Sequence, residues 1–321
     1  MERWRGVVKV PLKNPGGIPA LYRVAVSLYL STPSQTLAVS SKFPSANAIL
    51  FVGDRVSVTR STVIQRLSDS QKLADLLVSK FGDSINAWVI EAAVYNGPFA
   101  VYHDCIPTVH QWGEPKSYNP TGFPASNSTA SLLSNCLHEI KLRLPASSSS
   151  NGGVPDPLPT YILGFSKGGT VVNQLVTELS CLEPRSGGRE QRRVRIIPES
   201  GEDLLSSITE VHYVDVGLNS AGAYVTDHGV IERIGKRLNA QGEGGAGIRF
   251  VLHGTPRQWC DDRRAWIREE KDELIRLLEM EAGRSAAAGT LQVREKLYFA
   301  DRVPDMEMHF EVLDAMDVSR E

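Results

Sequence analysis

Apolar positions along the chain switch repeatedly between a two-residue and a helical period, and the switches divide it into elements. Residues 7–10 and 22–30 (Tyr-Arg-Val-Ala-Val-Ser-Leu-Tyr-Leu) read as early strands, separated by a turn at Pro15, Gly16 and Gly17. A continuous apolar run at 48–52 (Ala-Ile-Leu-Phe-Val) ends at Gly53. Having no polar face, it predicts a strand covered on both sides. Val63, Leu67, Leu73, Leu76, Leu77 and Phe81 then predict a helix over 62–81, stopped by Gly82. Further strands are expected at 86–92, 161–163, 211–216, 248–252 and 296–300. Helices are expected at 130–144, 170–179, 230–238 and 266–281, with a short one over 310–316. Strands alternating with helices imply an α/β fold: a mostly parallel central sheet with helices on both faces, in a single domain spanning 1–321.

Three stretches lack such patterning. Residues 93–128 are rich in Pro, Gly and Asn but also carry Tyr95, Phe99, Tyr102, Trp112 and Tyr118, which predicts an ordered loop acting as a lid. Residues 146–158 form a Ser/Gly/Pro spacer. Residues 183–204 are expected to be a solvated linker: Arg185, Arg189, Arg192, Arg193 and Arg195 stand there with no aromatic between them for base stacking.

Composition narrows the function classes. A chain of 321 residues can bury one large core, and a net charge of -2 gives no electrostatic case for nucleic acid or an anionic membrane. Cys105, Cys136, Cys181 and Cys260 are far apart with no C-x-x-C pair, so neither a zinc site nor a disulfide framework is expected, and a reducing compartment fits. No apolar run approaches the roughly 18 residues that cross a bilayer, and no secretory signal core is evident. Arg3, Arg5, Lys9 and Lys13, with Glu2 the sole acid among them, give the first 13 residues a faint presequence character. The serine content of a presequence is missing, and strand-like sequence follows at once.

The chemistry concentrates at Gly164-Phe165-Ser166-Lys167-Gly168-Gly169, between a short β-type run and a helical one. This is the pattern of a nucleophile elbow. So tight a strand-to-helix turn tolerates only small residues two before and two after the serine, and it aims the Lys167 N–H where an oxyanion would form. In α/β-hydrolases the triad runs Ser, then Asp or Glu, then His. His309, the last of seven histidines and beyond the final expected strand, is the candidate base. For the acid, Asp215 at the end of one strand and Asp261 after His253-Gly254-Thr255 stand level, with Asp262 behind them. The second oxyanion donor is expected from the amide of Asp54 or Arg55, just after Gly53. Gly168-Gly169-Thr170 lacks the order of a phosphate-binding loop. His103, Asp104 and His110 lack a second ligand cluster, so neither a metal nor a cofactor is expected.

With the elbow, Asp215-Val216-Gly217, the segment 253–261 and the His309-Phe310 ending in view, the chain resembles an uncharacterised eukaryotic esterase-like family whose animal members are mitochondrial. The resemblance runs from about residue 48 to the end. It implies an α/β-hydrolase fold and a serine hydrolase, located in mitochondria or, failing that, in the cytoplasm. The expected activity is hydrolysis of a small-molecule ester or thioester by acyl transfer through Ser166. The alternative is a catalytically inactive hydrolase-fold protein serving as a binding or regulatory partner of another protein.

Overall fold

The computed structural model describes residues 2–12, 19–30, 43–56, 59–144, 158–183, 196–240, 247–284 and 290–319. The Pro15–Gly17 turn, the arginines between 185 and 195 and most of the 146–158 spacer lie outside these residues.

Among the described residues, eight strands form one sheet: β1 (Glu2–Leu12), β2 (Ala20–Leu30), β3 (Ala46–Val52), β4 (Ile85–Glu91), β7 (Thr160–Phe165), β8 (Ile208–Val214), β9 (Ile248–Gly254) and β10 (Leu291–Leu297). Two more, β5 (Val94–Asn96) and β6 (Phe99–Val101), make a separate hairpin. In space the large sheet runs β1-β2-β4-β3-β7-β8-β9-β10. Only β1 with β2 and β2 with β4 pair antiparallel, and every other neighbour is parallel. This is the sheet of an α/β-hydrolase, whose site gathers at the carboxyl ends of the central parallel strands.

Helices cover both faces. On one lie α1 (Thr62–Leu67), α2 (Ser70–Phe81) and α9 (Met306–Ala315), whose Ile64, Leu73 and Phe310 pack against Ala48, Leu50 and Val52 of β3. On the other lie α3 (Pro124–Arg143), α4 (Gly169–Leu179), α5 (Gly201–Ser207), α6 (His228–Ala240) and α8 (Ala265–Arg284), packed against Ile49 and Phe51. A single turn, α7 (Pro256–Trp259), follows β9. Alternate β3 residues thus feed two separate cores, which is why its sequence shows no polar alternation.

Several elements differ from expectation. The 62–81 helix is two helices, because the Asp69 side chain accepts from the amides of Gln71 and Lys72 and starts a new helix in mid-pattern. Strand β10 ends at Leu297, earlier than the expected 296–300, since Phe299 turns into the left-handed region at φ 58°. Helix α5 begins inside the expected 183–204 linker, capped by Ser200. The 93–128 region holds the β5–β6 hairpin and the first turn of α3, and it is pinned to the body: Tyr102 donates to the carbonyls of Val52 and Ile90, and Tyr118 to that of Gly222.

Candidate active site

Ser166 stands where β7 gives way to a 3-10 turn and then α4, with φ at 51°. A non-glycine residue in that region is strained by on the order of 1–2 kcal/mol. The glycines around it are demanded by contact. A Cβ on Gly164 would lie 2.6 Å from the Cα of Gly169, and one on Gly168 would lie 2.0 Å from the carbonyl oxygen of Phe51. One on Gly53 would lie 2.1 Å from the Lys167 nitrogen and 2.5 Å from the Gly168 nitrogen. The end of β3 therefore lies directly against the elbow, as the close-approach reading of Gly53 requires.

Helix α9, capped by Asp305, carries His309 into the site, where its ring stacks on Phe165 with centroids 4.7 Å apart. Its Nδ1 lies 2.6 Å from Oδ2 of Asp215. Asp215 follows β8 directly, at φ 45° and fully buried. Its carboxylate is held by the amide of Thr255 at 2.7 Å and the Thr255 hydroxyl at 3.0 Å. The other ring nitrogen, Nε2, lies 2.9 Å from Oδ2 of Asp54, whose Oδ1 is buried without a partner among the described residues. Burial pulls the His309 pKa down, but the hydrogen bonds and charges of Asp215 and Asp54 outweigh it and bring it up to about 9. Both ring nitrogens thus face carboxylate oxygens, an arrangement that favours the imidazolium. The Ser166 hydroxyl opens onto the same cavity but makes no hydrogen bond to the ring, since Asp54 has taken the nitrogen that faces outward.

Of the two candidate acids, Asp215 meets His309 and Asp261 does not. The Asp261 carboxylate accepts from the Arg263 amide and side chain and from the Arg264 side chain, capping the turn before α8. Asp262 is exposed at the rim, 3.8 Å from Arg268. The Arg55 amide is also not turned to the site: it donates to the carbonyl of Pro98, and the guanidinium goes to Glu91. The Asp54 side chain on the His309 ring was missed; its place one residue past Gly53, at the carboxyl end of a central parallel strand, is the signal that could have found it. Missed too was the Lys167 side chain. Nearly fully buried, it donates to the carbonyl of Trp112, pairs with Glu114 at 3.3 Å and lies over the Phe99 ring. Glu114 in turn accepts from the Asn219 amide and the Ser220 hydroxyl. Burial lowers the pKa of Lys167, and Glu114 partly offsets it. The elbow is thereby tied to the 93–128 region through Trp112 and Glu114.

The cavity above Ser166 has a volume of about 630 Å³ and is walled by Phe99, Asn219, Arg257, Gln258, Met306 and Phe310, among others. Among the described residues no three His, Cys, Asp or Glu side chains cluster as metal ligands would. The four cysteines are free, two buried and two exposed.

The model of the C2orf69 family matches residues 146–282. The "Mitochondrial protein C2orf69 homolog" of Danio rerio is 26% identical over 232 residues, 70% of this chain and 58% of the relative. That of Mus musculus is 29% identical over 153 residues, 47% of this chain and 33% of the relative. The chain thus spans between a third and three fifths of these relatives' length. Among solved structures, the siderophore hydrolase EstA from Aspergillus nidulans aligns over 97% of this chain and 91% of its own, at 14% identity and a TM-score of 0.44. The Staphylococcus aureus fluorophosphonate-binding serine hydrolase FphF aligns over 97% and 94%, at 10% identity and a TM-score of 0.38. No described helix is long and apolar enough to cross a membrane. In sequence the chain is similar to the C2orf69 family, and the fish, mouse and human relatives that it matches are named mitochondrial proteins.

Proposed function

We propose that the chain is a serine hydrolase that cleaves a carboxylic ester or thioester through an acyl-enzyme on Ser166. One observation carries this reading: a serine strained into the left-handed region opens onto the same cavity as an imidazole bonded to a fully buried aspartate. In the neutral form, His309 takes the Ser166 proton while the hydroxyl oxygen bonds to the substrate carbonyl carbon. Asp215 holds the Nδ1 tautomer and stabilises the imidazolium that forms. The tetrahedral oxyanion falls to the amides of Lys167 and Asp54. Collapse breaks the bond to the leaving alcohol or thiol, which leaves with the proton from His309. Water, deprotonated by the same ring, then releases the acid and restores Ser166. No cofactor enters these steps.

The binding-partner reading has its own support, since Asp54 occupies the ring nitrogen that the serine would need. A fluorophosphonate probe separates the two. Labelling of the wild type that vanishes in Ser166→Ala is the expected result, and a folded but unlabelled wild type would sink the enzyme reading.

A further inference from the structure

The cations around the cavity are almost all spent on neighbours. His309 lies between Asp215 and Asp54, and Lys167 is paired with Glu114. Arg263 and Arg264 share Asp261, and a second Arg264 nitrogen donates to the carbonyl of Arg257. Arg257 differs. Among the described residues it has no acidic partner, and its Nε is buried with nothing to donate to. A guanidinium keeps its charge at any physiological pH, so a desolvated and unanswered N–H on one is costly. The adjacent Gln258 repeats the pattern, its buried side-chain oxygen having no partner. Both residues wall the cavity that holds Ser166. Thr255, two residues before Arg257, is hydrogen-bonded twice to Asp215, which anchors the start of this turn at the site.

We propose that Arg257 is an anion subsite of this cavity, and that the substrate is an ester or thioester bearing a carboxylate or phosphate on its acyl or its leaving half. The proposal deepens the hydrolase reading and rests on it for turnover, but not for binding. A planar guanidinium grips either anion in a two-pronged hydrogen bond, and that gain is available only to a substrate that brings the charge. With a volume of about 630 Å³ the cavity has room for a short chain between the reacting carbonyl and the charge.

The test compares matched ester pairs at fixed ionic strength. For the acyl half, the 4-nitrophenyl monoesters of succinic, glutaric and adipic acids are set against the 4-nitrophenyl esters of butyric, valeric and caproic acids. For the leaving half, S-butyryl 3-mercaptopropionate is set against its methyl ester, with released thiol as the readout. In at least one pair the anionic partner should lead by about tenfold or more in kcat/KM. That lead should collapse through KM in Arg257→Gln and largely return in Arg257→Lys. Neutral partners favoured in every pair, or a lead that survives Arg257→Gln, would overturn the proposal. Calorimetry of glutarate and of inorganic phosphate on Ser166→Ala gives a readout free of catalysis. Binding that is lost on adding Arg257→Gln upholds the subsite even if no ester is turned over. Absence of binding by both anions, together with absence of any anionic preference, refutes it.

Discussion

At the residue scale the site turns on one side chain whose part is set by where its neighbours end. Asp54 lies two residues beyond the end of β3, and its carboxylate meets the His309 nitrogen that a serine base would offer to Ser166. Together with Asp215 it keeps the ring charged up to a pKa of about 9. A general base works only when neutral, so hydrolysis by the wild type should rise with pH through the alkaline range. Asp54→Asn removes one of the two charges that favour the imidazolium. The inflection of kcat/KM should therefore move toward neutral pH, with a higher rate at pH 7, as read from a pH–rate profile between 6 and 10. An inflection that does not move would show that Asp54 does not set the protonation of the base. The Gly-x-Ser-x-Gly pattern is legible in sequence because sterics around the serine act over a few residues, whereas Asp54 and Asp215 meet across an imidazole 255 residues from the first of them.

At the scale of elements, the start of α3 shows why a boundary can escape a sequence reading. Helix α3 begins at Pro124, six residues before the expected 130, after a left-handed Phe123 that offers no side-chain cap. The cap comes from another helix. The Glu178 carboxylate of α4 accepts from the amides of Ala125 and Ser126 at 2.8 and 2.9 Å, and it also accepts from the Gln174 side chain. An anion on the free N–H groups of a helix start is favourable, and burial raises the pKa of this one. Replacing Glu178 with Ala strands two buried N–H groups and should cost about 2–4 kcal/mol in urea denaturation. Glu178→Gln, which keeps one acceptor, should fall between it and the wild type. A loss below about 1 kcal/mol would mean that the α3 start is held by something else. The split at Asp69 differs in kind: its cap is local, and the residue type announces it.

For the whole molecule, folding places one imidazole between two carboxylates, and its titration is linked to stability. The pKa of His309 rises from 6.5 to about 9 on folding. A raised folded value means stabilisation fully present below pH 6.5 and lost as pH climbs through 9, on the order of 3 kcal/mol across that window. Melting temperature should therefore fall between pH 6.5 and 9.5, and the fall should be smaller in His309→Gln. Equal slopes would assign the loss to other groups. The fold also ties the 93–128 region to the elbow: Lys167, one residue after Ser166, reaches the Trp112 carbonyl and Glu114.

Sequence by itself determined the α/β architecture, the order of its main strands and helices, the elbow at Ser166 and the histidine that follows it in the chain. These follow from short-range rules: a doubly covered strand shows a solid apolar run, a helix shows its stripe, and a tight turn demands glycine. The choice of Asp215 over Asp261 at the imidazole, the carboxylate of Asp54 on its far nitrogen and the unanswered charge of Arg257 were decided only by tertiary structure. Each depends on which strand ends lie side by side, and two aspartates in similar sequence settings look alike until the sheet brings one of them to the histidine.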